Sequence, residues 1–144
     1  MNQVKDILSR KGNNAVSVLP NTTVFEALKI MAEKNIGSVV VMENDQYLGI
    51  VTERDYSRKV ILKEKHSTST KVSEIMTSDL PHIFPDNTVE HCMELMTSDN
   101  IRYLPVFTNN KLCGIISITD VVKETILFQQ ETISHLDNYI HSGL

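Results

Sequence analysis

Two stretches decide the fold: Gly49-Ile50-Val51-Thr52-Glu53-Arg54-Asp55 and Gly114-Ile115-Ile116-Ser117-Ile118-Thr119-Asp120. Both read glycine, two β-branched apolar residues, a hydroxyl residue, two variable residues and aspartate. They lie 65 positions apart, and at that shift residues 16–62 fall over 81–127 without a gap. Thirteen of those 47 positions are identical, among them Pro20/Pro85, Thr23/Thr88, Asn35/Asn100, Asn44/Asn109, Gly49/Gly114 and Asp55/Asp120. An ungapped run that shares its turn residues is a duplication. A lead-in also recurs, Val4-Lys5-Asp6-Ile7-Leu8 and Val72-Ser73-Glu74-Ile75-Met76, at a shift of 68. The three extra residues fall near Gly12-Asn13-Asn14.

Each copy predicts the order β-α-β-β-α. Val16 to Leu19 alternate as a short strand that Pro20 stops. Thr23 precedes Val24, Ala27, Leu28 and Met31, the spacing of an amphipathic helix, and with Glu26 it has the form of a capping box. A β-branched strand over 36–42, a turn at 43–46, a paired strand over 47–51 and a helix from about 53 to 62 complete the unit. The second copy repeats this with Ile83-Phe84, 89–96, 103–107, 111–116 and a helix from Ile118. One unit of ~60 residues buries too little apolar surface to stand comfortably alone. The expected fold is therefore α+β, two such repeats packed sheet-to-sheet with pseudo-twofold symmetry, followed by a C-terminal helix. The expected boundaries are 1–65 for the first repeat with its lead-in, 66–128 for the second and 129–144 for the helical extension. Residues 63–70 form a polar, exposed connector.

Composition narrows the function. The 144 residues are 41% hydrophobic and 22% charged, as in an ordinary globular domain. Fourteen Lys and Arg against 18 Asp and Glu give −4, which argues against a nucleic-acid partner. No apolar run nears the ~20 residues of a membrane span, and the polar start is unlike a secretory leader, so no membrane partner and a cytoplasmic location are expected. Cys92 and Cys113 have neither CxxC spacing nor a histidine partner and read as packing residues in a reducing compartment. His66, His82, His91, His135 and His141 are scattered, and there is no Walker loop, dinucleotide fingerprint or HExxH. No catalytic or metal site is expected.

At the two motifs a strand hands over to a helix. Such a junction offers free N–H groups and a positive dipole end to phosphate, with a hydroxyl beside it. A carboxylate on the first turn can accept two hydrogen bonds from a cis-diol. The same hydroxyl-x-x-Asp spacing is also a helix cap, and spacing leaves both readings open. Arg54, Arg58 and Lys59 make the first motif the more phosphate-hungry; the second carries Thr119 and Lys123 instead.

The duplication, the two motifs and Ile101-Arg102-Tyr103-Leu104-Pro105-Val106 resemble tandem CBS domains, the pair called a Bateman module, of the stand-alone bacterial type. The resemblance implies a non-enzymatic sensor that binds an adenosyl ligand (AMP, ADP, ATP, NAD or S-adenosylmethionine) in clefts between the repeats. It acts on a regulated protein through a change of conformation or dimer geometry. By matching position, Asp55 and Asp120 hold ribose hydroxyls, and Thr52 and Ser117 reach phosphate beside Arg54 and Thr119. Val16, Val18, Ile36, Pro81, Ile83 and Ile101 frame adenine, and Arg102 turns its guanidinium to phosphate. The alternative is a ligand-free scaffold homodimer whose motif residues only cap helices.

Val122, Ile126, Gln129, Ile133, Leu136 and Ile140 are spaced 4, 3, 4, 3, 4, a heptad-like stripe. It fits an amphipathic helix packed on its own domain, or one that meets its twin in a homodimer with Gln129 in the seam. The resemblance favours the dimer.

Overall fold

The computed structural model describes residues 2–12 and 15–142. Of the expected insertion, Asn13 and Asn14 lie outside the described residues. The elements are α1 (Val4–Lys11), β1 (Ser17–Val18), α2 (Val24–Lys34), β2 (Ser38–Glu43), β3 (Gln46–Thr52), α3 (Glu53–Lys59), a 3-10 turn (Ile61–Lys63), α4 (Val72–Ile75), α5 (Val89–Ser98), β4 (Tyr103–Thr108), β5 (Lys111–Ser117) and α6 (Ile118–Ser142). The mixed α+β fold, the two repeats and the C-terminal helix are as expected.

The division of the chain is not the one expected. One compact unit holds residues 15–80 and 110–112 and carries Asp55; the other holds 2–12, 81–109 and 113–142 and carries Asp120. Each lead-in thus belongs with the other repeat. Burial is the reason: Val4, Ile7 and Leu8 of α1 join Ile83, Cys92, Leu104 and Ile116 in one core, while Val72 and Ile75 of α4 join Val24, Val39 and Val51 in the other. Backbone bonds fix both docks. Val4 N–H donates to Asn87 O and Val89 N–H to Asn2 O, at 2.9 and 3.0 Å. In the Asp55 unit Val72 N–H donates to Thr22 O and Val24 N–H to Thr70 O, both at 2.8 Å. The connector is accordingly exposed only in part, since Thr70 is buried and its carbonyl caps α2.

In the Asp55 unit β1 runs parallel to β2, and β2 antiparallel to β3. Among its described residues the Asp120 unit has the β4–β5 hairpin and one parallel bridge, Ile83 to Val106, where β1 would be. One residue accounts for the loss. Val40 N–H donates to Val16 O in the first copy, and the counterpart of Val40 is Pro105, which has no N–H to give.

The shared turn residues do what their chemistry allows. Asn44-Asp45 and Asn109-Asn110 take positive φ values of 52°, 61°, 52° and 64°, a type I′ pattern suited to tight hairpins. Asn35 and Asn100, at 54° each, close α2 and α5 in the left-handed region. The motif glycines answer to space instead. A Cβ on Gly49 would sit 2.8 Å from Thr77 O, and one on Gly114 would sit 2.8 Å from Leu8 Cδ2, because a lead-in segment crosses each glycine. Helix α3 stops at Lys59, short of the expected 62, where Val60 departs from helical geometry.

Both cysteines pack as expected. Cys92 is fully buried and Cys113 half-buried against the same core. Burial pushes the Cys92 thiol up to about 11, against a smaller opposing backbone hydrogen bond. At pH 8 its thiolate fraction is then about one in a thousand. Ellman's reagent is expected to titrate one thiol per folded chain and two in denaturant. Two fast thiols in the folded protein would contradict the packing.

Candidate functional site

In each motif the chain leaves a strand and enters a helix through a reciprocal cap. Thr52 N–H donates to Asp55 Oδ2 at 2.9 Å, and Asp55 N–H donates to Thr52 Oγ1 at 3.1 Å. The copy repeats this, with Ser117 N–H to Asp120 Oδ2 at 2.8 Å and Asp120 N–H to Ser117 Oγ at 3.2 Å. The helix starts are less open to anions than the sequence suggests. Glu53 N–H already donates to Gly37 O and Ile118 N–H to Arg102 O, so two of the first three N–H groups are taken in each helix.

The carboxylates differ beyond the cap. Asp55 Oδ2 also accepts from Thr52 Oγ1, while Oδ1 pairs with Lys59 Nζ at 3.0 Å and accepts from Thr77 Oγ1 at 3.4 Å. Its side chain is 10% exposed. Lys59 itself donates to Ile75 O at 2.9 Å. Asp120 Oδ2 takes Lys11 Nζ at 2.8 Å, a lysine that also reaches Ile115 O, and Asp120 Oδ1 has no hydrogen-bond partner among the described residues. Four donors thus occupy Asp55, whereas one oxygen of Asp120 faces no donor and its side chain is 19% exposed. The lysine counted toward phosphate at the first motif is committed to Asp55, which weakens the case for that motif as the more phosphate-hungry.

Ile101, Arg102 and Thr119 come together, lining with Ile118, Val122 and Lys123 a concavity of about 620 Å³ in the Asp120 unit. That volume lies within the range of small-molecule pockets. Arg102 and Lys123 bring positive charge to it and no lining residue is acidic. Ser117 and Asp120 do not line it, although Thr119 stands beside Asp120 in α6. Arg54 is half-buried in the first turn of α3.

The residues expected to frame a base have spent most of their backbone groups. Val16 O accepts from Val40 N–H, Ile83 bonds Pro105 and Phe107 through both its groups, and the N–H groups of Ile36 and Ile101 close helices. Val18 pairs in β1, Ile83 is fully buried, and Pro81 is half-buried. The side chains of Val16, Val18 and Ile36 pack on the core of their unit.

Sequence reasoning missed the cations that sit on the motif carboxylates. Lys59 stands four residues after Asp55, a spacing that pairs charges on a helix. Lys11 is 109 residues from Asp120 and carries no local signal. Beside it Glu124, 2% exposed, accepts from Arg10 Nη1 at 2.6 Å and from the Asn2 amide.

Residues 4–61 and 72–126 each match the CBS domain, most of the chain in two copies. The protein belongs to the CBS-domain family. The CBS pair is 36% identical to the mitochondrial CBS domain-containing protein CBSX3 of Arabidopsis thaliana, over 97% of this chain and 72% of that protein. A solved putative signal-transduction protein with CBS domains from Burkholderia ambifaria is 45% identical, with a TM-score of 0.84 over 88% of this chain and 95% of the other. The CBS domain pair of protein MJ0100, solved with 5′-methylthioadenosine and S-adenosyl-L-methionine, is 26% identical with a TM-score of 0.75, over 86% and 99%. CBS pairs are typically regulatory, nucleotide-binding modules, and stand-alone ones are generally not enzymes. Among the described residues no helix is long and apolar enough to cross a membrane.

Proposed function

We propose that this CBS pair is a regulatory module that takes an adenosyl ligand through the Asp120 unit, with Asp120 holding the ribose diol and Arg102, Thr119 and Lys123 facing phosphate or another anionic group. The observation that carries this is the difference between the two carboxylates: Asp120 Oδ1 meets no donor among the described residues, while both oxygens of Asp55 are filled. A diol supplies two O–H donors, which suits the first carboxylate and not the second. The neighbouring concavity has the size and the charge for the rest of a nucleotide. Complexes of the MJ0100 pair with two adenosyl compounds support the ligand class.

Regulation follows from what already holds the other oxygen of the carboxylate. Lys11 holds the end of α1 to Asp120 and to Ile115 O, so a ligand that competes for Asp120 changes how α1 is held. A ligand shifts such an equilibrium only by its differential affinity for the two states, and the Lys11 pair supplies the difference. AMP, ADP, ATP and NAD share the diol and differ in anionic charge. The reading for Asp55 alone is a helix cap, favoured by its four donors.

Isothermal titration with AMP, ATP, NAD and S-adenosylmethionine tests this. About one ligand per chain is expected, with a 2′,3′-dideoxy AMP analogue binding far more weakly than AMP. Absence of heat and of any thermal shift with all four ligands would leave both aspartates as caps and favour a scaffold role.

A further inference from the structure

Arg102 and Lys123 both line the concavity of the Asp120 unit, both are exposed, and neither side chain has a hydrogen bond or ion pair among the described residues. The other cations of this unit are committed: Lys5 pairs with Asp86, Arg10 with Glu124 and Lys11 with Asp120. The start of α6 brings the free ones together. Ile118 N–H donates to Arg102 O at 2.9 Å, which sets Arg102 beside the first turn, and Thr119 follows next in the chain. Lys123 stands one turn on, its Cβ about 5–6 Å from that of Thr119. At the 65-residue shift the counterparts of Arg102, Thr119 and Lys123 are Gly37, Arg54 and Arg58. The first copy keeps positive charge there but has no amine, and a guanidinium stays protonated and is no nucleophile.

We propose that Lys123 is an acylation site for acyl phosphates, with Arg102 as the anchor for their phosphate; this rests on the reading of the concavity as one that takes phosphate. A guanidinium fork holds two oxygens of a phosphate, and the Thr119 hydroxyl is a further donor in the same concavity. A single bridging oxygen separates the acyl carbon from that phosphorus. Anchoring the phosphate therefore keeps the acyl carbon beside the amine one helix turn away. The uncharged amine attacks the carbonyl carbon and an N–C bond forms. The C–O bond to phosphate breaks, phosphate leaves with the electron pair, and the amine proton passes to water. Acylation removes the Lys123 charge, so the modified protein holds phosphate-bearing ligands less tightly.

Acetyl phosphate, with acetylated lysines of the full chain followed over time by peptide mass spectrometry, tests this. Lys123 is expected to react about tenfold faster than Lys34, Lys63 and Lys111, exposed lysines outside the concavity. The N-hydroxysuccinimide ester of acetic acid carries no phosphate and is expected to modify all of these lysines at similar rates. Arg102→Met, or excess inorganic phosphate, is expected to bring Lys123 down to the rate of the others with acetyl phosphate. A Lys123 no faster than the others, equally favoured by the ester, or equally fast in Arg102→Met would overturn the proposal. Titration with AMP tells this failure from failure of the ligand reading. Heat from AMP without preference at Lys123 overturns the acylation site alone. Preference at Lys123 without heat from AMP supports the site and removes the adenosyl ligand.

Discussion

Arg10→Met is expected to lower the unfolding free energy by about 3 kcal/mol, because it leaves a buried carboxylate without its cation. Glu124 is 2% exposed, and Arg10 holds its Oε2 at 2.6 Å while the Asn2 amide holds Oε1. The partners come from opposite ends of the chain and pin α1 to α6. Arg10 itself is 45% exposed, so the loss belongs at the low end of what breaking a buried pair costs. Urea unfolding of Arg10→Met, Glu124→Leu and the double variant checks it. The double variant is expected to recover most of the loss, since an apolar pair of similar volume avoids the desolvation that the lone carboxylate suffers. A loss in the single variant below about 1 kcal/mol, the level of an exposed ion pair, would show that Glu124 is better hydrated than its burial indicates.

That pair also explains how two copies of one motif drifted apart. The fourth residue after the motif aspartate is Lys59 in one copy and Glu124 in the other. Lys59 neutralises Asp55 within its own helix. Glu124 cannot do the same for Asp120, so α1 brings two cations, Lys11 for Asp120 and Arg10 for Glu124. The charge pattern is conserved in sum while its source moves from one helix turn to a segment more than a hundred residues away.

Much of the fold was legible because the repeat marks residues whose local chemistry has one use. Asn44/Asn109 and Asn35/Asn100 sit where positive φ is required, and Thr23/Thr88 cap α2 and α5. The lead-ins were legible as elements but not as neighbours. Val4-Lys5-Asp6-Ile7-Leu8 and Val72-Ser73-Glu74-Ile75-Met76 have the same apolar pattern, and nothing local says which core receives each. The identical glycines hold the missing clue only in space, since each leaves room for a lead-in to cross. At the site the cap was legible from spacing. The competition at the helix starts was not, because Gly37 O and Arg102 O arrive from the bends that precede β2 and β4.

The second large effect separates the two aspartates. Asp120→Asn is expected to weaken adenosyl-ligand binding about 100-fold, since a carboxylate accepting two diol hydrogen bonds loses charge and one acceptor, at ~1.5–3 kcal/mol per charged hydrogen bond. Its stability is expected to change little, because the remaining amide oxygen can still accept from Ser117 N–H. Asp55→Asn is expected to do the reverse. One amide cannot serve Thr52 N–H, the Thr52 and Thr77 hydroxyls and Lys59, so urea unfolding shifts to lower concentration while ligand affinity stays near that of the unsubstituted chain. Lys11→Met adds a third line. It removes the cation that competes with the diol for Asp120, so affinity for uncharged adenosine is expected to rise. Equal loss of ligand affinity in Asp55→Asn and Asp120→Asn would mean that the donors on Asp55 give way on binding and that both units take ligand. Unchanged affinity in both would remove the motif carboxylates from the ribose altogether and leave them as the caps their hydrogen bonds make them.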